Sequence, residues 1–331
     1  MDIFLTLDYE LFSGTKQGSA ERCIIEPMNK LAEVVSNYGI KFTIFVDAAY
    51  LYKLYQWKDC VAKANEDFEM ISQNLQALVA SGHDIQLHFH PQWIYTVWDS
   101  KKEGWDMDTV HFKLSDMDKR LVEESFKESK DILDTIIGYK TNCFRACGYC
   151  LETYSDYINL FKANGITKDS SVARQLYTDT PVHTYDYRDI PVEQLYYFRD
   201  SIRKKDELGS FKELSISSFR MPSYVYYYYT FLLSRKYNSG HIYGDGKPLP
   251  DGKAHRLKFR YFFNSKELLA SLDGKRSIFL PYYLNKAEKQ KQKELVICGH
   301  PKNATEGSIK NLEKFLAMTS GRHEFLTSRN I

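Results

Sequence analysis

The sequence predicts an α/β fold built on a parallel sheet, and three observations carry that expectation. From residue 3 onward, short apolar runs of strand character alternate with amphipathic segments of helical spacing. Acidic residues and histidines gather where the apolar runs end, which is where parallel α/β folds bind ligands. Neither GxGxxG nor GxxxxGK[ST] occurs, so a phosphate-cradling loop has no support. A closed or distorted β/α barrel and an open doubly wound sheet both accommodate this alternation.

Each element has a local reason. Residues 3–7 form an apolar run and read as a strand. Residues 27–38 read as a helix, with Pro27 in its first turn and Gly39 behind it. Residues 40–46 (IKFTIFV) read as a buried strand. Phe68, Ile71, Leu75, Leu78 and Val79 recur at helical spacing over 67–79, and Gly82 stops that helix. A strand follows over 84–90. Ser115 is expected to cap a long helix reaching residue 137, with Gly138 after it. Residues 142–145 read as a strand, 152–164 as a helix and 166–170 as a weak strand. Then come a helix over 265–272, strands at 277–280 and 294–298, and a helix over 309–318. Residues 180–260 break the alternation with Pro181, Pro191, Pro222, Pro248, Pro250 and the tyrosine-rich run 224–229. They are expected to be an irregular aromatic-rich insertion packed on one domain spanning 1–331.

Composition excludes several classes. In 331 residues, Lys+Arg number 45 and Asp+Glu 43, leaving net charge +2 and no footprint for nucleic acid. Six cysteines are too few for a disulfide scaffold. No stretch approaches the roughly 20 apolar residues of a membrane span. The start, Met1-Asp2-Ile3-Phe4-Leu5, lacks a basic n-region, so no signal peptide and a cytoplasmic location are expected. Aromatics are unusually abundant, with 25 Tyr, 20 Phe and 4 Trp.

Four strand-end motifs carry chemistry. In TLDYE, Asp8 and Glu10 stand two apart and face one way on an extended chain, fit for a base and a metal ligand. In LHFHPQW, His88 and His90 likewise face together, half of a three-ligand site; His83, before that strand, reads as structural. In FRACGY, Arg145 would pair with a carboxylate, and backbone N–H groups near Gly148 and Tyr149 would hold an oxyanion. In ICGHPKN, His300 would be a general acid.

Together these motifs, from Thr6 to Lys302, resemble the polysaccharide deacetylase (NodB-homology) family, in the version with a D-x-E first motif and an L-H-x-H-P-x-W second. The resemblance implies a distorted (β/α) barrel and a metal-dependent hydrolase that removes an acetyl group, more often N-acetyl, from a sugar. It implies Asp8 as base, Arg145 as its positioner and His300 as acid. His88 matches a metal ligand, and Glu10 stands near the family's metal-binding acid, one place later than in its commoner version, with zinc the expected ion. The family's commoner second histidine falls on Gln92, whereas strand geometry favours His90 as that ligand. A further family motif has an Asp near a Trp; Asp169, Asp186 and Asp189 are its candidates here. The expected partner is a carbohydrate, a nucleotide- or lipid-linked precursor of a surface polysaccharide, stacked on Trp93 and Tyr95. The tyrosine run 224–229 offers further faces for a cleft wall, or packing for the insertion.

Three alternatives stand beside this reading. One is a deacylase of a non-sugar amide. Another is a carbohydrate-binding protein with an inactive site. In the third, Cys143, Cys147 and Cys150 resemble the C-x3-C-x2-C cluster motif of radical S-adenosylmethionine enzymes.

Overall fold

The structure is a computed structural model of the 331-residue chain, describing residues 1–151, 153–229, 240–248 and 265–331. Its core is a sheet with, in spatial order, Leu195–Phe198, Phe211–Leu214, Lys168–Asp169, Cys143–Ala146, Asp84–Phe89, Thr43–Asp47, Asp2–Tyr9 and Glu294–Gly299. Glu324–Leu326 joins the start of the first strand beside Thr43–Asp47. All neighbouring pairs are parallel except Leu195–Phe198 with Phe211–Leu214. Two extended segments nearly close the sheet into a distorted barrel. Ile216 N donates to Val172 O at 2.8 Å on one side, and Ser217 N donates to Val296 O at 3.0 Å on the other. Next to them Cys298 N donates to Ala270 O and Leu272 N to Cys298 O, each continuing the closure. Of the two topologies the alternation allowed, the chain adopts the barrel.

The first strand shows why the pattern works. Leu5, Leu7 and Tyr9 alternate with Thr6 and Asp8, so one set faces the helical layer and the other the barrel interior. Tyr9 reaches the outer layer, donating to Asn74 Oδ1 at 2.9 Å on helix Ala62–Ala80. Both sides of every central strand are buried, as parallel strands under helices require.

Several expected elements differ. The long helix runs Lys119–Ile137 and is capped by Asp118, whose carboxylate accepts the N–H groups of Arg120 and Leu121. Ser115 lies one turn earlier, inside the 3-10 turn Leu114–Asp116. A carboxylate with two N–H donors is a stronger cap than a hydroxyl placed too far upstream. Residues 265–272 are not a helix. Lys266–Leu269 is a strand antiparallel to Ser218–Met221, because Leu268 and Leu269 fill the pairing edge rather than a helical stripe. Conversely, 277–280 is not a strand but belongs to the 3-10 turn Gly274–Phe279 leading into helix Leu280–Lys289. Helix Ala48–Trp57, capped by Asp47, was not expected at all. The helix expected over 152–164 is the turn Tyr154–Tyr157 plus Ile158–Ala163, and Glu152 lies outside the described residues. So do residues 230–239 and 249–264 of the expected insertion, including Pro250.

No helix among the described residues is long and apolar enough to cross a membrane. The tyrosines of 224–229 serve packing in part. Tyr226 and Tyr229 lie against Phe279, with ring centroids 5.9 and 5.2 Å away, while Tyr224 and Tyr228 are exposed.

Candidate active site

Strand register brings the motifs to one end of the barrel. Thr6 and Leu7 pair with Cys298 and Gly299, so Asp8 emerges beside His300. Asp47 pairs with His88, and His88 with Arg145, so these three stand at one level. The residues beyond these strand ends line a cleft of about 730 Å³ that includes Asp8, Glu10, His88, His90, Gly148, Tyr149 and His300.

Glu10, His88 and His90 converge on its floor, with one donor atom from each lying within 4.8 Å of the others. His88 Nε2 is 3.1 Å from Glu10 Oε2 and 2.9 Å from His90 Nε2, and His90 Nε2 also contacts that carboxylate. His88 Nδ1 donates to Arg145 O at 2.7 Å, which turns the lone pair of Nε2 toward the centre. His90 Nδ1 faces Ser13 Oγ at 3.2 Å and Cys147 Sγ at 3.5 Å. The other oxygen of Glu10 accepts from Lys302 Nζ at 2.8 Å. Burial pushes Glu10 up, yet Lys302, His90 and His88 outweigh it and hold the carboxyl well below its usual range. Burial pulls His88 down, but Glu10, Asp8 and Asp47 more than reverse it. Two imidazole nitrogens and a carboxylate oxygen meeting on the cleft floor fit a divalent cation.

Asp8 and His300 flank this centre. Arg145, fully buried, donates from Nη1 to Asp8 Oδ1 at 2.6 Å. The rest of its guanidinium is held by Ser170 O, Ser170 Oγ and Thr6 Oγ1 at 2.9–3.1 Å, and its plane lies 4.0 Å from the Phe45 ring centroid. His300 Nε2 is 3.5 Å from Asp8 Oδ2, and its Nδ1 donates to Asp273 Oδ2 at 2.8 Å. Burial works against the imidazolium, but Asp273, then Asp8 and Glu10, raise His300 to about 9.

The turn after Arg145 is strained. Gly148 has φ +54° and Tyr149 φ +62°. A Cβ on Gly148 would stand 2.1 Å from His183 Cδ2, so glycine is required by space as well as by angle.

The structure therefore brings Asp8, Glu10, His88, His90, Arg145, Gly148, Tyr149 and His300 together. Gln92 stands behind His90, fully buried, its Oε1 3.9 Å from Cys147 Sγ, and takes no place in the Glu10–His88–His90 group. Trp93 is a correction. It is 2% exposed and packs between Tyr50 and Trp105, with centroids at 4.4 and 6.0 Å, so its ring is core and not a cleft wall. Tyr95 is occupied by His111, stacked at 3.7 Å, and it too stays out of the cleft lining. Asp169 is buried against Ser171, and Asp186 pairs with Arg188 on a hairpin; the acid that meets His300 is Asp273. Sequence reasoning missed Asp273 because 265–272 read as a helix, which hid that the residue ends an extended segment level with His300. It also missed Lys302, Asp47 and Ser13. Lys302 lies inside the ICGHPKN motif, Ser13 a few positions after TLDYE, and Asp47 directly after a predicted strand. Among the described residues the cysteines form no ligand group, so the Cys143–Cys147–Cys150 alternative lacks its site.

No protein-family profile matches the chain, and no curated protein matches its sequence. Solved structures do match its fold. A protein assigned as a polysaccharide deacetylase from Mycobacterium smegmatis superimposes with TM-score 0.53 at 14% identity, over 98% of this chain and 85% of that one. A GH57 branching enzyme from the hyperthermophilic archaeon Thermococcus kodakaraensis, in complex with glucose, gives TM-score 0.52 at 10% identity, over 99% and 70%. The barrel is thus the one shared by these carbohydrate-active proteins. At such identities the likeness is one of fold.

Proposed function

We propose that the protein is a divalent-metal-dependent hydrolase that removes an acetyl group, most often N-acetyl, from a sugar. The observation that carries this reading is the arrangement on the cleft floor. Beside the Glu10–His88–His90 centre stand a carboxylate clamped by Arg145 and, 3.5 Å from it, an imidazolium clamped by Asp273.

Glu10, His88 and His90 would hold the ion, and zinc suits two nitrogens and one oxygen. When bound, such an ion supplies the Lewis acidity that polarises a carbonyl and acidifies a water. Asp8 would serve as the base toward the attacking water, and Arg145 holds its carboxylate in place. The N–H groups in the Gly148–Tyr149 turn face the developing oxyanion. His300, protonated at neutral pH, delivers its proton to the leaving amine or hydroxyl. Because the four motifs and Asp273 meet in one cleft, we take residues 1–331 as one catalytic unit.

The fold alone does not select this chemistry, since a glycoside-acting enzyme shares it equally well. Glycoside hydrolysis needs two carboxyl groups flanking the sugar bond, one of them protonated. Here Glu10 is enclosed by two imidazoles and Lys302, and Asp273 is engaged by His300, so neither stands as a protonated partner to Asp8. A non-sugar amide would use the same machinery, and substrate profiling separates it.

The test is acetate release from N-acetylated sugars by the zinc-loaded protein, beside Asp8→Asn carrying equal zinc. Release by the first and none by the second is expected. Equal release by both overturns the base assignment, and no release by either favours the inactive binding protein.

A further inference from the structure

The acids that line the cleft are all engaged: Asp8 by Arg145, Glu10 by Lys302 and Asp273 by His300. The cleft also carries Lys275 and Arg276, both exposed on the turn Gly274–Phe279. Among the described residues no acidic side chain stands within ion-pair distance of either, although the charge of Arg276 reaches Asp273. Among the described residues the two cations are answered only in part, through Asp273, which His300 already engages.

The position of these two cations is set by the catalytic end. Asp273 accepts His300 N at 2.7 Å and His300 Nδ1 at 2.8 Å. Its own carbonyl accepts Arg276 N at 2.7 Å and Ser277 N at 3.3 Å, closing the turn. One residue thus holds both the proposed proton donor and the backbone that presents Lys275 and Arg276. Lys275 and Arg276 thus line the same cleft as His300, on the turn that Asp273 closes.

We infer that the substrate is an acetylated sugar bearing a phosphate, as monoester or diester, which Lys275 and Arg276 bind at the cleft rim. This rests on the deacetylase reading for its reaction and not for its binding site. A phosphate suits the pair better than a carboxylate. It offers more acceptor oxygens and more charge, and an arginine fork beside a lysine is a phosphate-binding combination.

Three probes decide the matter: N-acetylglucosamine 1-phosphate, the neutral methyl glycoside of N-acetylglucosamine, and N-acetylglucosamine oxidised to its uronate. The wild-type protein should prefer the phosphate over the neutral sugar in kcat/KM by about tenfold or more, and the preference should shrink with added salt. In K275Q/R276Q that ratio should fall at least about fivefold, a comparison that a general loss of folded protein does not move. A wild-type ratio near one, a ratio unchanged in the variant, or preference for the uronate over the phosphate overturns the inference. If none of the probes yields acetate, the proposed reaction has failed. Calorimetric binding of the sugar phosphate then decides the inference alone. Weaker binding by K275Q/R276Q supports it, and unchanged binding, as from phosphate held at the floor, overturns it.

Discussion

Arg145 Nη1 meets Asp8 Oδ1 at 2.6 Å, across 137 positions of chain and with both side chains buried. The pair ties the strand Cys143–Ala146 to the strand Asp2–Tyr9 through the barrel interior, past two intervening strands. A buried charge loses its hydration and must recover it from fixed partners. Arg145 does so through Asp8, Thr6 and Ser170.

Removing Arg145 should therefore damage the fold as well as the site. Arg145→Met leaves buried Asp8 without its hydrogen-bonded cation, with only His300 at 3.5 Å, and should cost about 3–5 kcal/mol. Arg145→Lys keeps a charge but loses the planar fork, and should recover only part of that loss. Chemical denaturation of the three proteins checks the order wild type, Lys, Met.

Metal binding should follow the floor residues. One divalent ion per chain is expected by elemental analysis after dialysis against zinc. Glu10→Gln, His88→Gln and His90→Gln should each lower the affinity, whereas Gln92→Ala should leave stoichiometry at one. Zinc at a hundred times its dissociation constant should stabilise the wild type by about 2.7 kcal/mol. A melting temperature unchanged by zinc contradicts the assignment.

Activity should have an alkaline limb set by His300. Its folded value is about 9, above the ordinary imidazole range, so the cation persists through neutral pH. The rate that needs this proton is present below that value and falls as pH rises through about 9. The stabilisation follows the same sign: complete below the unfolded value near 6.5 and lost as pH climbs through the folded one. Asp273→Asn removes the largest opposing charge and should move the limb to lower pH in a kcat/KM profile.

His83 should make the fold acid-sensitive. Its Nδ1 accepts Phe42 N–H at 3.1 Å, a role open only to the neutral ring, and burial, then Lys41, lowers it to about 4. A depressed histidine supports the fold above its unfolded value near 6.5 and loses that support as pH falls through the folded value. The span corresponds to roughly 3 kcal/mol. Subtracting the stability curve of His83→Gln from that of the wild type should isolate a slope between those pH values. Parallel curves would show that His83 stays uncoupled from folding.

Gly148→Ala should impair the turn beside the site. Its positive φ and the 2.1 Å approach to His183 leave no room for a methyl group. A cost of about 1–3 kcal/mol and a fall in kcat at unchanged metal content are expected. Adding His183→Ala should relieve the steric part and leave the conformational part, which a double-mutant cycle separates.

Much of this site was readable along the chain because strand periodicity is short. Asp8 with Glu10, and His88 with His90, share a face by the two-residue repeat alone. Apolar runs ending in polar residues marked the correct end of the barrel before any contact was known. Local signals also misled where a tertiary partner outweighed them. Residues 265–272 have helical spacing, yet the edge of Ser218–Met221 draws them into a strand, and with them Asp273. Trp93 follows the histidine pair closely in sequence, but the next helical turn rotates its ring into the core beside Tyr50. Periodicity reports which way a side chain leaves its own strand, and so the two carboxylates, the two imidazoles, the arginine and the final histidine were all identifiable. Register between strands, set by backbone pairing over hundreds of residues, was not. It alone put Asp273 against His300, Lys302 against Glu10, and Lys275 and Arg276 into the lining of the cleft.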